Sequence, residues 1–563
     1  MPLTLALFAL ALRCYGLDTP LLDYHSWRQA DTAAIARNFV AHGYRLGFPE
    51  VDWGGRLPGY VESEFPLYTY SLALLYGLFG VHEWIGRLLT ALCSAGAVAA
   101  LYALARPTLG RRGAAYAGLT LAIMPYTLFF GRTVMPDSLM LLTAILALLS
   151  FRAWQARPTP TRLLAALLCG ALAPLAKTPN LLVLAPPLAY LALSHRPRRW
   201  PALLLYGGCF ALPALLWTLH ARTLPLDPRL SFGIGEKLLD TRLLTDPQFY
   251  LLIARWSLEN LLTWAGLPLL LLGLLSKPAG EARGLRLEAC EPHTQNAKHK
   301  TQNAKLPHAW LLGALLFLAV GAAGVVGQDY YILPLAGPLA WFVGAGVDRA
   351  QRWAEARVGW RSRGTRLLPW AAPLVALGLL GGLSLARVAP LYRSADFYQT
   401  LGHRVDLALP PGERVGVIAP AVSEILYYAG RTGWRLDPGV IVPGGLASLG
   451  PDLGVRYVLI VDPWLTDRRD LLLGALTEFR RVPVGPYALL LDLSSPGVAP
   501  PFELPPETGH LVVEPFLSAW RAAGGVDGLG FPISDALDQP EGRAQFFERG
   551  LLVQQGDTAA PAP

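Results

Sequence analysis

The sequence predicts an all-α polytopic membrane bundle of about eleven helices, followed by a C-terminal α/β domain on the far side of the membrane. Three observations carry this prediction. The 563 residues are 53% hydrophobic and only 16% charged, against about 25% charged in soluble domains. The apolar residues fall in blocks of roughly 16–22, the length a helix needs to cross a hydrocarbon core about 30 Å thick. Lys and Arg crowd into alternate short loops, as membrane topology demands.

The apolar blocks run over 2–17, 85–105, 114–131, 137–154, 162–176, 179–194, 201–220, 250–276, 308–327, 330–347 and 368–386. The first lacks a small-residue cleavage site, so it reads as a retained helix and not a signal peptide. Loops 106–113, 152–161, 195–200, 277–307 and 348–367 together hold 20 Lys/Arg. The opposite loops 18–84 and 221–249 hold four each. This bias predicts a cytoplasmic N-terminus. An odd number of spans then places residues 388–563 outside. The net charge of +8 sits in these loops and forms no basic face, which argues against nucleic acid as a partner.

Loop 277–307 carries TQNAK twice, at 294–298 and 301–305, and reads as a disordered cytoplasmic insertion. Cys14, Cys93, Cys169 and Cys209 lie in apolar blocks and Cys290 in that loop, which leaves no disulfide framework for the C-terminal region. Beyond the bundle (1–387) the pattern changes. Arg414–Ile418 and Val455–Val461 read as strands, and Ser423–Gly430 and Asp467–Arg480 as helices, giving an extracytoplasmic α/β domain over 388–495. A Pro-rich linker (496–506) and a small module with a polar tail (507–563) follow.

The first outside loop is rich in chemistry. It runs from Asp23, His25, Trp27, Arg28 and Asp31 to Glu62 and Glu64, and predicts two helices lying on the membrane surface. Arg132 and Asp137 bracket the hairpin between the third and fourth blocks; Lys177 lies between the fifth and sixth, and Tyr330 and Tyr331 between the ninth and tenth. Acids and bases thus gather on one face, and little charge lies mid-bundle. That distribution suits an enzyme working at the outer surface on a lipid-linked substrate. A lipid or polysaccharide transporter would place charges and broken helices near the midplane. A non-catalytic envelope anchor or sensor would need no acid-rich loop.

Six strings now align in order: His25-Ser-Trp-Arg-Gln-Ala-Asp-Thr-Ala-Ala-Ile-Ala-Arg-Asn-Phe39, Glu64-Phe-Pro-Leu-Tyr68, Gly86-Arg-Leu-Leu89, Arg132-Thr-Val-Met-Pro-Asp137, Ala176-Lys-Thr-Pro179 and Asp329-Tyr-Tyr-Ile-Leu-Pro334. Over about residues 1–390 the chain resembles polyprenyl-phosphate-dependent glycosyltransferases of the GT-C fold, the protein O-mannosyltransferases and the lipid A aminoarabinose transferase. Residues 507–555 resemble an LGFP repeat, through Phe516–Trp520, Gly528–Ser534 and Gly542–Gly550.

The resemblance implies a plasma (inner) membrane enzyme. It would move a sugar from a polyprenyl-phosphate donor, with inversion, to an envelope lipid, glycan or protein acceptor. Where that family carries an Asp-Glu pair, this chain has Arg28 and Gln29; where the aminoarabinose transferase has a Lys, it has Glu64. The base is therefore Asp31 or, second, Asp23. Arg28, Arg132 and Lys177 are the cations for the leaving phosphate. His25, Trp27, Glu62, Glu64, Asp137, Tyr330 and Tyr331 complete the substrate-binding candidates. Asp23, His25 and Asp31 could hold a divalent metal, which some members of that family use and others do not, although their spacing matches no strong metal motif.

Overall fold

A computed structural model of the chain describes residues 1–194, 199–227, 230, 240–275, 305–358, 368–442, 444–461, 469–499, 501–539 and 542–562. The TQNAK repeats (Lys305 apart), Cys290, Arg196, Arg198 and most basic residues of loops 277–307 and 348–367 lie outside the described residues.

Nine helices open the chain: α1 (Pro2–Arg13), α2 (Ser26–Ala41), α3 (Leu67–Phe79), α4 (Glu83–Ile123), α5 (Pro125–Phe129), α6 (Asp137–Ala156), α7 (Pro160–Ala176), α8 (Asn180–Ser194) and α9 (Trp200–Ala221). Then come α10 (Pro247–Ser257) and α11 (Thr263–Leu274), joined through a π-helical turn at Leu258–Leu262. They are followed by α12 (Leu306–Val320), α13 (Ala336–Val358), α14 (Leu368–Val388), α15 (Phe397–Ala408) and α16 (Val422–Ala429). Among the described residues, six stretches are long and apolar enough to cross a membrane: Glu83–Ile123, Asp137–Ala156, Trp200–Ala221, Pro247–Leu274, Asp329–Arg357 and Trp370–Ala408.

The structure redraws several predicted spans. Blocks 85–105 and 114–131 stay two: they fall in the two arms of α4, the second running on into α5, and the arms fold back on each other at Gly110 (φ 77°, ψ −179°), a conformation that only glycine adopts without strain, so that a Cβ on Gly118 would lie 3.6 Å from the Val98 carbonyl oxygen. The first, fifth, sixth and ninth blocks are helices of 12, 17, 15 and 15 residues, short of the ~20 that span a bilayer upright. Local chemistry sets some ends. The Thr159 hydroxyl accepts from the backbone N–H of Arg162 and Pro160 stands at the first helical position, which fixes the start of α7.

Lipid offers no hydrophobic drive between helices, so tight crossings depend on small residues. A Cβ on Gly346 of α13 would lie 1.9 Å from the Leu269 carbonyl oxygen of α11, and one on Gly273 1.8 Å from that of Phe342. Gly344 meets Ala117 of α4, and Gly313 of α12 meets Val183 of α8, as closely. By contrast the outer faces of α9 and α14 are bare leucine and valine, with Leu204 72% and Leu374 70% exposed.

The two predicted surface helices exist as α2 and α3, but α2 is not a surface helix. Every residue from Gln29 to Ala36 is buried. The run of small residues Ala30, Ala33, Ala34 and Ala36 lets protein close over it from both sides, α3 on one and α16 on the other. Only α3 keeps an open apolar face, at Leu74, Leu78 and Phe79.

The C-terminal region builds a five-stranded sheet from β1 (Val415–Ile418), β2 (Gly433–Arg435), β3 (Tyr457–Val461), β4 (Phe479–Val482) and β5 (Ala488–Pro496), in the order β2-β1-β3-β5-β4. β1 runs parallel to β2 and β3, and β5 antiparallel to β3 and β4. The predicted helix to Arg480 ends at Glu478, because Phe479 and Arg480 pair into β4; Asp467 lies outside the described residues. The first loop joins this sheet at its β2 edge. Gly433 N–H donates to the Asp52 carbonyl and Gly55 N–H to that of Gly433, both at 2.8 Å. Residues 502–561 form a separate small core around Phe516, Trp520, Phe547 and Leu552 under an antiparallel four-stranded sheet. Arg481 ties it to the larger sheet through Asp535 and the Gly509 carbonyl.

The glycine crossings are testable. Gly346→Val should abolish recovery of monodisperse protein in detergent, whereas Gly378→Val, which meets nothing within 4 Å, should leave recovery unchanged. Size-exclusion profiles of the two variants decide.

Candidate functional site

α2 begins at His25, which adopts the left-handed conformation (φ 59°) and turns the chain sharply out of the first loop. Four polar groupings lie around this helix. The first is centred on Asp23, 3% exposed. Its Oδ2 accepts from Arg132 at 2.6 Å and Arg87 at 3.1 Å, and its Oδ1 from Gln29 at 2.5 Å. Both arginines are buried and reach on to backbone carbonyls, Arg132 to Gly16 and Arg87 to Pro20. Asp23 therefore has both oxygens engaged by buried donors. Arg132 likewise sits behind this pair, stacked on Tyr392 at 4.5 Å.

The second grouping holds Asp329. It accepts from Tyr24 at 2.7 Å, lies 2.9 Å from His25 Nε2, and accepts from Tyr126 as well. The ring of His25 meets Tyr330 edge-on, with centroids 5.0 Å apart. This grouping locks the start of α2 to the turn that presents Tyr330 and Tyr331.

The third is the most open. Arg28 donates to Glu64 at 2.5 Å, and Lys177 to Asp137 at 2.6 Å. The Lys177 ammonium lies 5.0 Å from the Tyr330 ring centre and 5.4 Å from that of Tyr331. Arg28, Glu64, Thr32, Ile35, Phe65, Pro66 and Pro136 line a cleft here. Burial acts to raise the Glu64 carboxyl, but Arg28 and then Lys177 outweigh it and hold it below the ordinary range.

The fourth contains Asp31, 3% exposed and one turn along α2 from Arg28. Trp53 donates its indole N–H to Asp31 Oδ1 at 3.1 Å. Burial pushes this carboxyl up to about 7, against the opposing pull of Ser423, Trp53 and Arg28. Nearby, Asp52 is clamped by Arg37 at 2.6 Å and Asn38 at 3.0 Å.

Of the residues singled out in the sequence, Arg28, Glu64, Asp137, Lys177, Tyr330 and Tyr331 come together, and Asp31 reaches this group only through Arg28. Glu62 turns toward the exposed Arg222, 3.7 Å away. Trp27 stands half-buried on the first turn of α2. Asp23, His25 and Asp31 do not form a ligand set: Asp23 is neutralised by two arginines and His25 is directed at Asp329. Among the described residues no three His, Cys, Asp or Glu converge to hold a metal ion. The sequence reading missed Trp53, Arg87, Asp329, Ser423 and Glu424 as site components. Arg87 and Asp329 stand inside the quoted strings and Trp53 in the first outside loop; Ser423 and Glu424 give no local signal.

Comparison with known proteins places this arrangement. Residues 63–218 match the sequence model of the dolichyl-phosphate-mannose-protein mannosyltransferase family. The mannosyltransferase-like protein YycA of Bacillus subtilis (strain 168) is 29% identical over 147 residues, a match covering 25% of this chain and only 20% of YycA. ArnT from Cupriavidus metallidurans bound to undecaprenyl phosphate superposes with a TM-score of 0.55 at 15% identity, over 89% of this chain and 99% of ArnT. The archaeal oligosaccharyltransferase AglB from Archaeoglobus fulgidus, in complex with an inhibitory peptide and a dolichol-phosphate, gives 0.54 at 13%, over 85% and 72%. The mycobacterial arabinofuranosyltransferase AftD gives 0.56 at 18%, over 88% of this chain and 40% of AftD. The chain is a multi-pass membrane protein with the fold of GT-C glycosyltransferases.

Removing one partner of a buried ion pair leaves an uncompensated charge and costs about 3–5 kcal/mol. Asp23→Ala, which strands Arg87 and Arg132 together, should lower the thermal midpoint of the purified protein far more than Glu62→Ala. Thermal denaturation in detergent measures both.

Proposed function

We propose that the chain is a glycosyltransferase that takes a sugar from a polyprenyl-phosphate donor, with Asp31 as general base. The observation that carries this reading is one helix, α2, setting the buried Asp31 carboxyl one turn from Arg28, whose partner Glu64 lines the same cleft and is coupled to Lys177. The fold shared with ArnT and AglB supports it.

In the reaction, an acceptor hydroxyl oxygen forms a bond to the anomeric carbon. Its proton passes to Asp31, and the bond from that carbon to the phosphate oxygen breaks with its electron pair going to the phosphate. Attack from the face opposite the leaving group inverts the centre. A base with a carboxyl near 7 is matched to such a transfer at neutral pH. Charge grows on the departing phosphate. Lys177 has three N–H donors and Arg28 five. One of each is engaged, by Asp137 and Glu64. The remainder can meet phosphate oxygens, and such charge-assisted bonds are worth more where water is excluded. Glu64 and Asp137 hold the two cations in place while the site is empty of anion. The aromatic faces of Tyr330 and Tyr331 wall the Lys177 side. Asp23 and Arg132, bound to each other, serve to position α2. No step requires a metal held by Asp23, His25 and Asp31, since these residues do not fit one.

The loop charges support an orientation with the N-terminus cytoplasmic, and with α2 and residues 388–563 outside the plasma membrane, where the acceptor is an envelope lipid, glycan or protein. We read residues 507–555 as an LGFP-like module facing that envelope.

Two outcomes follow. Membranes containing the chain should transfer label from radiolabelled polyprenyl-phosphate sugars, and Asp31→Asn should lower the rate by about 10²–10⁴. Because the base works ionised, the wild-type rate should rise with pH through about 7 and then level; full turnover by Asp31→Asn overturns the assignment. For orientation, single cysteines replacing the exposed Leu407 or Asp538 in a Cys-free background should react with an impermeant maleimide in intact cells. One replacing Arg157 should react only after lysis.

A further inference from the structure

We infer that Arg255, Glu259 and Arg387 form a binding site for the phosphate group of an anionic bilayer phospholipid, apart from the Arg28–Glu64 cleft and sharing no residue with it.

These three ionisable side chains stand where a membrane protein least tolerates charge. Arg255 and Glu259 lie inside Pro247–Leu274 and Arg387 inside Trp370–Ala408, two of the stretches apolar enough to cross a bilayer. Charges within such segments are costly and are kept where they have partners or a task. Here the partners are incomplete. Glu259 Oε1 accepts from Arg255 Nε at 2.8 Å and its Oε2 from Arg387 at 3.3 Å, while Arg387 Nε donates to Asn260 Oδ1 at 2.9 Å. A guanidinium has five N–H donors, and these bonds engage one of Arg255's and two of Arg387's. The two arginine side chains are 72% and 46% exposed, and ion pairs of such exposure add little to stability. One acid against two bases leaves the grouping with a net positive charge.

The backbone is built around this point. Leu258–Leu262 is the π-helical turn between α10 and α11, and such turns are frequent at functional sites. It brings Glu259 and Asn260 round to Arg387. Thr263, next in the chain, holds φ 54° and ψ 172°, close to a conformation that glycine enters freely and a β-branched residue adopts only under strain. α14 seals the turn from the side, with Leu380 3.5 Å from where a Cβ on Gly266 would stand. About one turn on from each of these, the hydroxyls of Thr263 and Ser384 are buried with no hydrogen-bond partner among the described residues.

The surroundings fit a lipid and not a free anion. Leu379 and Leu383, both exposed, run down α14 at one-turn intervals directly below Arg387. Tyr250 and Trp264, also exposed, flank the grouping along the chain, and such residues gather at the level of lipid headgroups. The π-helical turn packs on α5, whose Tyr126 donates to Asp329, so the grouping lies at the end of the bundle that carries the candidate site. A lipid phosphate there accepts from both guanidinium groups in the charge-assisted, forked geometry that arginine offers, with its acyl chains along the leucine face of α14.

The test titrates the full chain in detergent with phosphatidylglycerol, phosphatidylcholine and inorganic phosphate, and follows bound lipid by native mass spectrometry. Phosphatidylglycerol should bind saturably and more weakly as salt is added. Arg255→Gln and Arg387→Gln should each weaken that binding by about tenfold or more, whereas Arg222→Gln should not change it. A second measurement needs no variant: phosphatidylglycerol carrying a photoreactive group near its glycerol should label peptides containing Arg255 or Arg387 in membranes. Unchanged affinity in both Arg→Gln variants, or label spread along α9 and α14 without concentration at those peptides, overturns the site. Equal binding of phosphatidylcholine, or displacement by an equal concentration of inorganic phosphate, overturns the anionic lipid as its ligand.

Discussion

One buried carboxylate holds the site together. Asp23 stands between two buried guanidinium groups, and desolvating three charges at once is tolerable only because each finds further partners. Arg132 and Arg87 reach the carbonyls of Gly16 and Pro20, and Gln29 bridges from Asp23 to the backbone of Val134. Four segments that are remote in sequence meet at this point: the end of the 14–23 turn, α2, α4 and the 130–136 loop. The start of α2 has little freedom left once this node forms. Everything α2 carries inherits that fixed position, Arg28 facing the cleft and Asp31 facing Trp53. The node also retains one unbalanced positive charge, two arginines against one acid, buried behind a site read as binding an anion.

Much of this was legible in the sequence because the membrane imposes simple rules. Block length marked the helices, and the hairpins that carry Asp137, Lys177 and Tyr330 could be located from the block ends alone. The breaks were harder. Gly110 and Pro107 do signal the turn of α4, but that helix continues through the loop residues on either side of Gly110 depends on packing. The same limit applies to α2. Its alanines permit burial on both sides without announcing it, and an amphipathic reading left one face for the membrane that α16 in fact covers.

Roles were less legible than places. Asp23 and Asp31 look alike as residues eight apart in one loop. They differ in partners contributed from far away: Arg87 and Arg132 fix the first as a counter-ion, while Trp53 leaves the second a buried acid with its charge only partly supported. Arg132 and Lys177 were similarly equivalent as outside-facing cations, yet one is enclosed with Asp23 and the other stands beside two tyrosine rings. A linear sequence records the presence of such groups and not which of them meet.

The stitching of the first loop to β2 and α16 also orders events during biosynthesis. The Leu21–Tyr428 hydrogen bond spans 407 residues. At roughly 5–20 residues per second, α2 waits for about 20–80 s between its own synthesis and the arrival of the strand and helix that enclose it. Through that interval the surfaces that α16 will cover lie open at the bilayer. A ribosome that stalls after the bundle therefore leaves a nascent chain that is inserted with one side of α2 bare. The stretch from Val422 to Arg435 is what closes over it.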